Sequence, residues 1–219
     1  HPEWAKRCFH MSYEIVNLPG NVTIASREGT VVLLEDLIRE AEERALKVVQ
    51  EKNPSLSADE MEAVARAVAL GAIKYPMLSR DSTRVVTFDW ESALDFNGQA
   101  APYIQYASVR GSSILRRATE ALPGSTLPAY SLEPAEIELI DLISRVPGEI
   151  ERSAKEFKPL LVATLAFELA RAFNDFYMQC PVIQAPDEQR SFRLRLVAAA
   201  RQVLNNLLNI LGIPAPEVM

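Results

Sequence analysis

Apolar positions along this chain fall into two rhythms. YEIVNL (13–18) and NVTI (21–24) alternate apolar with polar side chains around Pro19-Gly20-Asn21. A period of two broken by such residues predicts strand, loop and strand, with TVVLL (30–34) as a further extended run. From Leu34 the period lengthens. Leu34, Leu37, Ile38, Ala41, Ala45, Val48 and Val49 form a helical stripe that stops at Asn53-Pro54. Ser57 followed by Glu60 is a capping box, and it opens a helix carrying Met61, Val64, Ala65, Val68, Ala72 and Ile73 that Pro76 should close. RVVTFDWESAL predicts a short extended piece before Asp89 caps a turn of helix. Pro102 suits a first helical position, and the helix it opens should run from Tyr103 to about Thr119. LPGSTLPAY (122–130) is a linker. Beyond it the pattern predicts helices over Pro134–Arg145, about Gly148–Phe157, Pro159–Gln179 and Pro186–Ile210, the last ended by Gly212. No strand is expected after Asp89. The fold class is therefore mainly α: a short α/β piece over 1–87, then an all-α helical bundle over 88–219.

With 219 residues, 48% of them hydrophobic, the chain can bury a sizeable core. No apolar run reaches membrane-spanning length and the first residues lack a secretory pattern, so no membrane partner and a cytoplasmic location are expected. The chain opens on His1, which suggests a piece of a longer protein. A net charge of −6 argues against nucleic-acid binding by bulk electrostatics. Any RNA contact must then be local. EDLIREAEER and SADEME carry much of the acid, whereas RGSSILRRA and QRSFRLRLVAAAR are basic. Cys8 and Cys180 match no metal or redox spacing and read as two separate buried thiols. No metal site is expected.

Little in the sequence suggests bond-making chemistry. The only histidines are His1 and His10, and no G-x-S-x-G, Walker or H-E-x-x-H motif occurs. ASREGT (25–30) could hold a phosphate through backbone N–H groups and a guanidinium, or be an ordinary polar turn. Tyr103, Tyr106 and Arg110 share one helical stripe. Such a stripe is either core or a platform on which unpaired bases stack. In FNDFYMQ, Phe173 and Phe176 read as packing, and spacing leaves Tyr177 open between core and ligand. Met219 by itself reads as a frayed end.

SREGTVVLLEDLIREA, EKNPSLSADE, AVALGAIKYPMLSRDSTRVVTFDWESAL, FNGQAAPYIQYASVRGSSILRRA, FELARAFNDFYMQCPV and LLNILGIPAPEVM occur in this order. Together they resemble the C-terminal half of arginyl-tRNA synthetases, which join arginine to tRNA through an adenylate made with ATP. The resemblance implies that 1–87 is the end of the catalytic domain with a stem-contact region, and that 88–219 binds the anticodon. It further implies that Tyr103, Tyr106, Arg110, Tyr177 and Met219 meet the anticodon loop. The implied partners are tRNA-Arg and, for a parent enzyme acting as a monomer, ATP with Mg and L-arginine. No cofactor is implied for this segment itself.

Departures from the family pattern bear on chemistry. Thr23 stands where the K-M-S-K-S signature of the family carries a lysine and Ala25 where it carries its first serine, leaving Ser26, Arg27, Glu28 and Gly29 as a degenerate ATP loop. Pro181 stands where some relatives have tryptophan. The H-I-G-H signature and the arginine pocket do not occur, so this segment is not expected to catalyse alone. Two alternatives stay open: a free-standing helical module binding RNA or protein, and an enzyme competent in its own right.

Overall fold

The computed structural model describes residues 1–18, 22–23, 33–118, 127–128 and 130–219. Ser26, Arg27, Glu28 and Gly29 lie outside the described residues, as do most of TVVLL and of the 122–130 linker. A short helix, α1 (Pro2–Ala5), precedes β1 (Val16–Leu18) and β2 (Val22–Thr23), which pair antiparallel as the alternation predicts. A third strand, β3 (Val86–Thr87), joins the other edge of β1 in parallel, with Val16 opposite Val86. Asp89 then caps α4 (Trp90–Ala93) by accepting the Ser92 N–H at 2.8 Å. Among the described residues no strand follows.

Two long helices lie between these strands. α2 (Leu34–Lys52) ends at Asn53, and α3 (Ala58–Leu78) opens on Ser57, whose hydroxyl and Glu60 carboxylate satisfy each other's backbone N–H groups. They pack as a hairpin through Ala41, Ala45 and Val49 against Val64, Ala65 and Val68. Pro76 does not close α3, contrary to the sequence reading; it sits in the last turn and the helix continues to Leu78. The missing N–H costs one bond near an end, where Tyr75 is buried and holds the turn in place.

The bundle consists of α5 (Ala101–Arg117), α6 (Pro134–Glu156), α7 (Pro159–Gln179) and α8 (Asp187–Ile210) around a core that includes Ile104, Leu139, Leu169, Phe173, Phe176 and Leu204. The two helices expected on either side of Pro147 are one helix, α6. Its apolar stripe explains why: Ala135, Leu139, Leu142, Val146 and Ile150 keep helical phase across the proline, so packing on α7 outweighs the lost hydrogen bond. α3 contributes to both cores, because Tyr75 joins the bundle cluster. At Gly71 the two units approach so closely that a Cβ would stand 2.8 Å from the Ala101 Cβ.

Inside the bundle, Arg193 donates to Glu136 at 2.8 Å, and both side chains are almost fully buried. The Arg193 guanidinium also donates to the Pro181 carbonyl, while the Tyr130 hydroxyl and the Glu133 N–H donate to Glu136. Burial would push the Glu136 carboxyl up, but the hydrogen bonds from Tyr130, Arg193 and Glu133 outweigh it and hold the group below the usual carboxylate value. Cys180 is buried as expected; Cys8 is exposed, because the segment around it packs on no core. No helix among the described residues is long and apolar enough to cross a membrane.

Glu136→Gln keeps the shape but leaves the Arg193 charge buried without its counterion, an imbalance that costs about 3–5 kcal/mol. Urea unfolding should show that loss, whereas Glu151→Gln, which breaks an exposed pair with Lys155, should leave the midpoint unchanged. Because the folded carboxyl titrates below its unfolded value, the Glu136 contribution is complete above the ordinary carboxylate pKa and is lost as pH falls through the lowered one. The stability gap between wild type and Glu136→Gln should therefore narrow in acid.

Candidate nucleic-acid interface

The sequence stripe divides on folding. Tyr103 is half-buried: its ring packs against the bundle core and meets Phe167 of α7 at 5.4 Å between centroids. One turn further, Tyr106 is 39% exposed, and on α7 Tyr177 is 40% exposed. Arg110 joins them. Its guanidinium carbon lies 4.9 Å from the Tyr106 ring centroid and 4.8 Å from that of Tyr177, over both rings. Nη1 of Arg110 donates to Asn174 Oδ1 at 2.5 Å, so the partner of this cation is a neutral amide and not an acid.

The alignment of α5 with α7 produces this group. Tyr103 meets Phe167, and seven residues on, Arg110 meets Asn174, so the two helices run side by side in the same direction. Phe173 and Phe176, fully buried, turn the α7 face that carries Asn174 and Tyr177 toward the surface. The reading of those two phenylalanines as packing holds, and Tyr177 proves accessible.

Beside Tyr106 and Arg110 lies a cavity of about 400 Å³, also lined by Val49, Lys52, Asn53, Phe96, Asn97 and Met219. Two cationic side chains and no acidic side chain line it. The Lys52 ammonium stands 5.2 Å over the Phe96 ring. Met219 is only 9% exposed and packs with Val49 and Val109, so it is no frayed end. A strap leads it there. Gly212 turns the chain out of α8 with φ +64°, and Lys74 donates to its carbonyl. Buried Gln105 donates to both Ala67 O and Pro214 O, at 3.0 and 2.7 Å. Arg116 then donates to the Glu217 carbonyl, and Arg201 pairs with the Glu217 carboxylate.

The structure thus brings Tyr106, Arg110, Tyr177 and Met219 together and turns Tyr103 toward the core. Sequence reasoning missed Lys52, Phe96, Asn97 and Asn174. Asn174 sits three residues before Tyr177 on the same helical face, and that spacing could have found it. Nothing local marks Lys52, which arrives by the packing of α2 on α3. Pro181 serves through its carbonyl, held by Arg193.

The DALR anticodon binding domain model matches residues 104–219, and the class I (R) tRNA synthetase catalytic domain model matches residues 1–90. Arginine–tRNA ligase of Thermococcus sibiricus is 42% identical over 96% of this chain and 34% of its own length; that of Pyrococcus abyssi is 43% identical over 98% and 35%. Among solved structures, Thermus thermophilus arginyl-tRNA synthetase matches with a TM-score of 0.90 and 34% identity, over 100% of this chain and 37% of that one. Arginyl-tRNA synthetase from Plasmodium falciparum shares the fold, with a TM-score of 0.80 at 23% identity over 96% of this chain and 35% of that one. The chain spans about a third of the length of these relatives.

The tyrosines differ enough in exposure to be told apart chemically. Tyr75, 1% exposed and with its phenol pushed up to about 12 by burial, should resist nitration, and Tyr103 should react slowly. Tyr13, 82% exposed, should react first, and Tyr106 and Tyr177 should follow well ahead of Tyr103, as peptide mapping after brief exposure to tetranitromethane would show.

Proposed function

The chain belongs to the arginyl-tRNA synthetase family as a bearer of its DALR anticodon-binding domain, and from that premise we propose that its bundle holds the anticodon loop of tRNA-Arg. One observation carries the reading: two open tyrosine rings share an arginine at the mouth of a cavity lined by cations and free of acidic side chains. Unpaired bases stack on aromatic faces, and a guanidinium edge bonds a base edge or a phosphate. Tyr106 and Tyr177 offer rings, Arg110 offers donors, Lys52 adds charge toward the backbone, and Met219 gives an apolar wall. Tyr103 backs the platform from the core side.

In the parent enzyme this positioning serves arginylation of tRNA-Arg with ATP, Mg and L-arginine, in the cytoplasm and by a monomer. The division falls near residue 88, with 1–87 closing the catalytic domain and reaching the tRNA stem. Among the described residues no cluster of His, Cys, Asp or Glu is arranged for a metal ion. The role assigned to this chain is to place the RNA, since the H-I-G-H signature and the arginine pocket do not occur in its sequence.

Base–aromatic stacking is worth about 1–3 kcal/mol per base, so Tyr106→Ala and Tyr177→Ala should each weaken binding of a tRNA-Arg transcript roughly tenfold to a hundredfold at fixed salt. Circular dichroism should show the helices unchanged. Equal affinity of wild type and both variants would defeat the proposal. ATP–pyrophosphate exchange by the 219-residue chain with arginine and tRNA should be absent.

A further inference from the structure

We propose that Asn174 is a positioning residue for RNA recognition, acting through Arg110; the inference rests on the anticodon-loop reading above. A guanidinium carries five N–H donors in a rigid planar fork, and what it can recognise depends on which donors the protein itself occupies. Here the Nη1 group is taken by Asn174 Oδ1. Tyr106 and Tyr177 each turn a ring face toward the same guanidinium, which fixes its plane. Among the described residues no protein acceptor meets Nε or Nη2 of Arg110. One edge of the fork is therefore held and the other is left for a ligand, on a side chain that lines the cavity.

The free edge presents two parallel donors. It fits a pair of acceptors on one ligand, as on a phosphate or on a base edge that offers two acceptors side by side. The chemistry of Asn174 matters as much as its place. A carboxylate there would also hold Nη1, but it would cancel the charge that draws an anionic or acceptor-rich ligand. An amide oxygen orients the cation and leaves its charge intact. With three orienting contacts made before any RNA arrives, less rotamer freedom is lost on binding.

The test is a double-mutant cycle in the 219-residue chain, read as affinity for a tRNA-Arg transcript and for the same transcript with a changed anticodon loop. Asn174→Ala should weaken cognate binding roughly tenfold and shrink the ratio between the two transcripts, with the melting temperature unchanged. In an Arg110→Ala background, Asn174→Ala should change neither affinity nor ratio, since the residue it positions is gone. An undiminished loss in that background would overturn the proposal, as would equal weakening toward both transcripts or a lowered melting temperature that accounts for it. Should wild type fail to distinguish the transcripts, the anticodon-loop reading itself falls, and that result is separate from any behaviour of Asn174.

Discussion

A single buried amide sets the geometry on which the interface depends. Gln105, fully buried in α5, uses both hydrogens of its side-chain nitrogen, one on the α3 carbonyl of Ala67 and one on Pro214 of the strap. Buried N–H donors are costly unless paired, so these two bonds hold three segments at one distance from one another. Gly71 against Ala101 fixes the same approach sterically. Once α3 is set on α5, α2 follows through its hairpin and brings Val49 and Lys52 to the cavity; once the strap is set, Met219 arrives opposite them. The cavity is thus built by neither unit alone.

Charge works locally in this protein. The whole chain is acidic, yet exposed charges farther apart than about 8–10 Å are largely screened at physiological salt, so distant acidic helices weigh little against Lys52 and Arg110, the charged side chains that line the cavity. The arginine sits over two rings. A cation over an exposed ring gains about 0.5–1 kcal/mol, which is enough to favour one orientation without sealing the group from a ligand. Arg193, by contrast, is nearly buried and bound to a carboxylate. Two arginines of one bundle thus serve opposite ends, one holding the core together and one kept available, and the difference lies in the acceptor each is given.

How much of this could be read in advance differs from residue to residue. Local chemistry was legible: Ser57 with Glu60, Asp89 before Trp90, and Gly212 after α8 all act through near neighbours, and each does in the fold what the pattern implies. The prolines were less so. Pro76 and Pro147 lie inside helices because burial of Tyr75 and of the α6 stripe opposes the break, and that balance is tertiary. For the interface, helical spacing could group Tyr103, Tyr106 and Arg110 but could not say which of them a second helix would cover. The alignment of α7 decides that, placing Phe167 on Tyr103 and leaving Tyr106 open. Lys52 has no local signal, because its importance comes from a fold that spans the two units.

The strap also bears on the order in which the molecule can assemble. A polypeptide leaves the ribosome from its amino end, and early segments fold as they appear. The α2–α3 hairpin emerges well before residues 212–219, yet the carbonyl of Gly212 receives Lys74 and the side chain of Met219 fills space beside Val49. During synthesis that seam stays unsealed and wet until residues 212–219 have left the exit tunnel. Nascent protein therefore cannot present a finished cavity before residues 212–219 are in place.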